Sequence, residues 1–138
     1  MGLLIDSTVF IHAEREQQTP SELISELLER FGDQDLALSV MSAGELFHGC
    51  RRADTARRRS RREEFVEAVI AAVPSIPITL AVMRVFGRLD ADLAADGERL
   101  PTSDLLIAST ALSRDDEIVT GNLRHFKRIR DLVVREYS

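Results

Sequence analysis

One cysteine, four prolines, seven glycines and a single lysine among 138 residues leave several kinds of protein without their raw material. Cys50 stands alone, which excludes an internal disulfide and any thiolate zinc cluster, so the thiol reads as buried or idle. Glycine and proline are sparse, no tract is repetitive, and hydrophobic residues at 44% accompany charged residues at 30%, a balance that excludes a disordered or fibrous chain. No apolar run approaches the length of a membrane span. The N-terminal one, Leu3 to Ile5, stops at an acid with no basic region before it, so neither a secretory signal nor a membrane contact is expected, and the protein is read as cytoplasmic. Positive charge is also short overall: a net charge of -5 excludes a protein that coats nucleic acid by bulk charge. The distribution is uneven, with seven arginines against Asp54 between Arg51 and Arg62.

The length fits one domain, residues 1–138, with one proper core. Residues 2 to 5 and LALSV (36 to 40) read as short buried strands. PSIPI (74 to 78) has room for another, and EIVT and DLVVREY supply two more. Between them lie helical stretches. STVFIHAEREQQ has Ser7 or Thr8 as its cap, and TPSELISELLERFG carries Thr19, Pro20 and Glu22 in a capping box and stops at Gly32. SAGELFHGC shows the same box spacing at Ser42 and Glu45, and REEFVEAVIAAV has one apolar stripe. The helix from Thr79 ends at Gly97, and PTSDLLIASTALSRDD is capped by Thr102 or Ser103. Strands alternating with helices indicate an α/β fold in three layers, a mainly parallel central sheet flanked by helices.

In such a fold ligands bind beyond the carboxyl ends of the strands. Asp6 ends the first strand, Glu45 falls in the helical turn after the second, Asp104 opens the helix after Pro101, and Asn122 follows IVT. A parallel sheet brings all four to one edge. Singly, each acid is explained by a cap or a turn. Together, three carboxylates about 5 Å apart would repel by roughly 3 kcal/mol per pair at an effective dielectric near 20, and a fold keeps them only with a cation or a proton. Oxygen donors without His or Cys at ligand spacing favour Mg²⁺ or Mn²⁺, the ions of phosphate chemistry.

LLIDSTVFI, LSVMSAGELFHG, LPTSDLLIASTAL and IVTGNLRHFKRI resemble, in order and spacing, the four motifs of the PIN-domain ribonucleases and, at this size, the VapC-type toxins of bacterial toxin–antitoxin systems. The resemblance runs from Leu3 to about Ile129 and implies a PIN-domain fold. It implies a Mg²⁺- or Mn²⁺-dependent endoribonuclease whose metal is held by Asp6, Glu45 and Asp104, leaving a 5′-phosphate and a 3′-hydroxyl. It further implies an RNA substrate, a cognate antitoxin whose C-terminal segment fills the groove and blocks the site, and a homodimer or a toxin–antitoxin hetero-oligomer. Asn122 stands where many PIN domains carry a fourth acid; it adds a carbonyl but no charge, and is counted with the three acids in the catalytic set.

Ser7 and Thr120 are expected to support the acids with hydroxyls. Arg124, Lys127 and Arg128, with Arg51 and Arg52, are the candidate RNA phosphate contacts. None of His12, His48 and His125 is assigned as a general base; His12 and His48 are expected to flank the groove. A haloacid-dehalogenase-like phosphatase would need a second acid at position 8, where Thr8 stands. A receiver-like phosphoacceptor would need an acidic neighbour for Asp6 and a better placed lysine than Lys127. The remaining alternative is a catalytically weak PIN-fold module that only binds partners, recognisable by weak divalent-metal binding without RNA cleavage.

Overall fold

The computed structural model describes residues 2–137, so Met1 and Ser138, the outermost residues of the expected 1–138 domain, lie outside the described residues. Five strands, β1 (Leu3–Ile5), β2 (Leu36–Ser39), β3 (Ser75–Ile76), β4 (Glu117–Thr120) and β5 (Val134–Glu136), form one sheet in the order β3-β2-β1-β4-β5. Every pairing is parallel, as near-continuous apolar strands require when both faces are covered. Side chains alternate across the sheet. Leu3, Ile5, Leu38 and Val119 enter one core with Phe10, Leu23 and Leu27. Leu4, Ala37 and Ile118 enter the other with Leu105, Ile107 and Phe126. Two cores on opposite faces of one sheet make the three layers expected from the sequence.

Seven helices accompany these strands among the described residues: α1 (Ser7–Arg15), α2 (Pro20–Phe31), α3 (Val40–Arg51), α4 (Ala56–Ala72), α5 (Leu80–Ala95), α6 (Thr102–Arg114) and the single turn α7 (Leu123–Phe126). The Thr19–Glu22 capping box forms in both directions, and Gly32 ends α2 at φ 97°, a left-handed conformation open to glycine. Thr79 caps α5 through the backbone N–H of Val82. None of the described helices is long and apolar enough to cross a membrane.

Three helix starts differ from the sequence reading. α1 begins with Asp6 in the cap position and takes no side-chain cap from Ser7 or Thr8, whose hydroxyls are directed to acids instead. α3 begins three residues earlier than its capping-box spacing suggests, because Ser39 accepts from Met41 N. Ser42 is left buried inside the helix with no hydrogen-bond partner among the described residues. α6 has Pro101 in the cap position and no side-chain cap, so neither Thr102 nor Ser103 plays that part. The arginine run is helical as well: residues 57–62 form the first half of α4.

The strand order reverses direction around β1, with β2 leaving to one side and β4 to the other. Crossovers on opposite faces open a crevice at that point, just past the carboxyl ends of β1 and β4. Asp6 and Thr120 are the residues at those two ends.

Candidate active site

Asp6 follows the last residue of β1 and is 3% exposed. Its backbone N–H donates to Val119 O at 2.9 Å, which ties it to β4. Its Oδ2 accepts two hydroxyls, Thr8 Oγ1 and Thr120 Oγ1, each at 2.7 Å. Those hydroxyls accept in turn from backbone: Gly121 N donates to Thr8 Oγ1 and Asn122 N to Thr120 Oγ1, both at 2.9 Å. A hydroxyl has one proton, so both threonines have spent theirs on Asp6, and the carboxylate oxygen is fixed by two oriented donors.

Glu45 projects from the second turn of α3, and its Oε1 accepts from Ser7 Oγ at 2.9 Å. That bond joins the first residue of α1 to α3. Asp104 projects from the first turn of α6, where its Oδ2 lies 2.6 Å from His125 Nδ1. His125 Nδ1 is also 2.9 Å from the side-chain amide of Asn122, the residue that leads into α7. The α7 turn is held from below by Phe126, which is fully buried.

Charge couples the group as well, by repulsion. Burial pushes the Asp6 carboxyl up from its ordinary value of 3.8, and the negative charge of Asp104 adds to this against the two threonine hydroxyls. Burial likewise raises Glu45, with Asp6 and Asp104 both contributing against the Ser7 hydrogen bond. Asp6 therefore feels the charge of Asp104, and Glu45 that of both. Among the described residues no three His, Cys, Asp or Glu side chains already stand as a closed metal cage. The donors nevertheless suit a hard divalent cation: they are carboxylate oxygens, they share one crevice, and for Asp6 and Asp104 the side-chain hydrogen bonds all fall on one oxygen of the pair.

Of the residues singled out in the sequence, Asp6, Ser7, Glu45, Asp104, Thr120 and Asn122 are thus drawn into one hydrogen-bonded and electrostatic group. Arg124, Lys127 and Arg128 lie exposed on and just after α7, beside Asn122 and His125, and make no ion pair among the described residues. Arg128 donates to Arg99 O at 3.3 Å. Arg51 and Arg52 are elsewhere, at the far end of α3, about 9 Å along the helix from Glu45. The rest of the arginine run is partly used by the fold, Arg58 on Asp54 and Arg62 on Gly49 O and Glu14. His12 and His48 are exposed, and His12 packs edge-on against Tyr137 at 5.7 Å.

Thr8 and His125 were not given these roles from the sequence. Thr8 repeats the part of Thr120 two residues from Asp6, a spacing at which a hydroxyl reaches back to the acid. His125 had only its proximity to Asn122 as a signal, since Asp104 is 21 positions away.

The sequence matches the family described as PIN domain over residues 3–132. It is 39% identical over 110 residues to Ribonuclease VapC8 of Mycobacterium tuberculosis, covering 78% of this chain and 88% of that one. It is 28% identical over 138 residues to Ribonuclease VapC1 of Rickettsia felis, covering 100% and 98%. The fold is similar to a chain in the crystal structure of VapBC2 from Rickettsia felis bound to a DNA fragment from their promoter, with a TM-score of 0.86, 22% identity and full coverage of both chains.

Proposed function

The chain belongs to the PIN domain family, among its VapC-type ribonucleases, and from that premise we propose a Mg²⁺- or Mn²⁺-dependent endoribonuclease toxin in which Asp6, Glu45 and Asp104 hold the ion. The observation that carries this reading is the gathering of three carboxyls at the crevice between β1 and β4, where burial and the charge of Asp104 raise both Asp6 and Glu45. When bound there, a divalent cation supplies Lewis-acid polarisation of a phosphoryl oxygen and acidifies water.

The chain's own groups do the rest. Thr8 and Thr120 hold Oδ2 of Asp6 and leave its Oδ1 clear of side-chain donors. Glu45, half-buried with its Oε1 held by Ser7, accepts the proton of the attacking water. Water oxygen adds to phosphorus as the bond to the 3′-oxygen breaks, leaving a 5′-phosphate and a 3′-hydroxyl that takes its proton from solvent. Arg124, Lys127 and Arg128 steady the strand through its phosphates.

A cognate antitoxin is the partner of this toxin. A cleft of about 350 Å³ between α1, α3 and α4 suits an amphipathic segment, with Phe10, Leu46 and Phe65 below and Glu14, Arg15 and Arg62 at its rim. The whole chain acts as one domain in the cytoplasm, as a homodimer or within a toxin–antitoxin hetero-oligomer.

Cleavage of an RNA pool by the purified full-length protein tests the reading. Activity is expected with Mg²⁺ or Mn²⁺, none with EDTA, and a loss of at least about 100-fold in Asp104→Asn, above the range typical of outer residues. Equal cleavage by wild type and Asp104→Asn would refute the assignment. Weak divalent-metal binding without RNA cleavage by wild type would instead favour the catalytically weak partner-binding module.

A further inference from the structure

Resting on the three-carboxylate reading above, we propose that His125 is a positioning residue: its Nδ1–H clamps Asp104, and its ring takes the carbonyl oxygen of Asn122 onto itself, so that Asn122 serves from outside the ligand set. Proton count sets the direction of the bond. A ring nitrogen carries either a proton or a lone pair. Nδ1 of His125 is 2.6 Å from Asp104 Oδ2, and a carboxylate oxygen offers only lone pairs, so the proton of this short, charge-assisted bond sits on Nδ1. The Asn122 amide, 2.9 Å from the same nitrogen, then faces an N–H. It takes the weaker share of that one proton through Oδ1, in a three-centre bond, after a half-turn about its last bond, which exchanges oxygen and nitrogen with the contacts kept.

This fixes what Asn122 can offer. With Oδ1 on His125, its remaining polar atom is the Nδ2 donor, which suits a phosphate oxygen of the substrate and repels a cation. The amide thus leaves the fourth position without a ligand, and the clamp compensates by removing rotational freedom from Asp104. The clamp itself is held on both sides. Asn122 N donates to Thr120 Oγ1, His125 N donates to Asn122 O at 3.3 Å, and Phe126 anchors the turn in the core.

Two readouts test this on the full-length protein. In metal-free wild type, ¹⁵N NMR of the His125 ring is expected to show the proton on Nδ1. In Mn²⁺ titration calorimetry, His125→Ala is expected to bind the ion about 10–100-fold more weakly, the usual scale for an outer partner of a ligand. His125→Asn, whose amide nitrogen falls near the Nδ1 position, is expected to restore most of that affinity. His125→Gln, which reaches the Nε2 position instead, is not, and Asn122→Ala is expected to leave the affinity nearly unchanged. An unprotonated Nδ1, or wild-type affinity in His125→Ala where Asp104→Asn has lost it, overturns the proposal. Failure of wild type to bind Mn²⁺ overturns the three-carboxylate reading instead, and the ring proton then decides on the clamp alone.

Discussion

Two threonine protons spent on one oxygen of Asp6 make that residue an acceptor by construction, yet burial holds its carboxyl above the usual range. The conflict has a measurable sign. A raised folded pKa means that the native state binds more protons than the unfolded chain once pH exceeds the ordinary value, so this contribution to stability is present below 3.8 and lost as pH rises through the raised pKa. Glu45 acts in the same direction from its ordinary 4.5. Metal-free protein is therefore expected to lose thermal stability as pH climbs through that window, and Mn²⁺ at neutral pH to restore it. Asp6→Asn removes the ionisation while keeping an oxygen for the two hydroxyls. It is expected to melt a few degrees above metal-free wild type at neutral pH and to gain nothing from Mn²⁺, as scanning calorimetry would show. At this scale the sequence was legible for identity but not for partnership. Asp6, Glu45 and Asp104 stood out by type and place, whereas the Thr8 hydroxyl and the His125 ring declare their targets only once β1, β4, α6 and α7 meet.

Among the elements, local chemistry and tertiary demand agree at α2 and part company at α3. The α2 box at Thr19 and Glu22 is satisfied in both directions far from the crevice. Thr19→Ala is expected to cost about 1 kcal/mol of stability in denaturant unfolding and to leave RNA cleavage unchanged. At α3 the same spacing misleads, because Ser39 at the end of β2 already supplies the cap. The earlier start moves Glu45 from the first turn to the second and gives it to Ser7 rather than to the backbone. Glu45→Gln is accordingly expected to leave the fold near wild-type stability while cleavage falls by about 100-fold or more, beyond what an outer residue shows. Strands, their parallel pairing and the starts of α2 and α5 followed from apolar runs and caps, whereas α1, α3 and α6 have other residues in the cap position than expected. The α7 turn did not, since four residues carry no period and its stability comes from Phe126 in the core.

For the whole molecule, a net charge of -5 coexists with exposed basic residues beside the crevice, which the proposed reading assigns to the RNA phosphates. Arg124, Lys127 and Arg128 stand unpaired among the described residues beside the site, whereas Arg58 and Arg62 are committed to the fold. Replacing Lys127 and Arg128 by Ala is expected to raise KM more than it lowers kcat. The log-log salt dependence of RNA binding should flatten by about 0.7 for each lost phosphate contact, whereas Arg57→Ala should leave it unchanged. In the proposed reading, the topological switch between β1 and β4 gathers three carboxylates around one divalent ion. A crystal of the full-length protein grown with Mn²⁺ and measured at an anomalous wavelength tests it most directly. The expected result is one strong peak per chain, about 2.1 Å from oxygens of the Asp6, Glu45 and Asp104 carboxylates or bridged to them by water. A peak elsewhere, or none at saturating Mn²⁺, would contradict it.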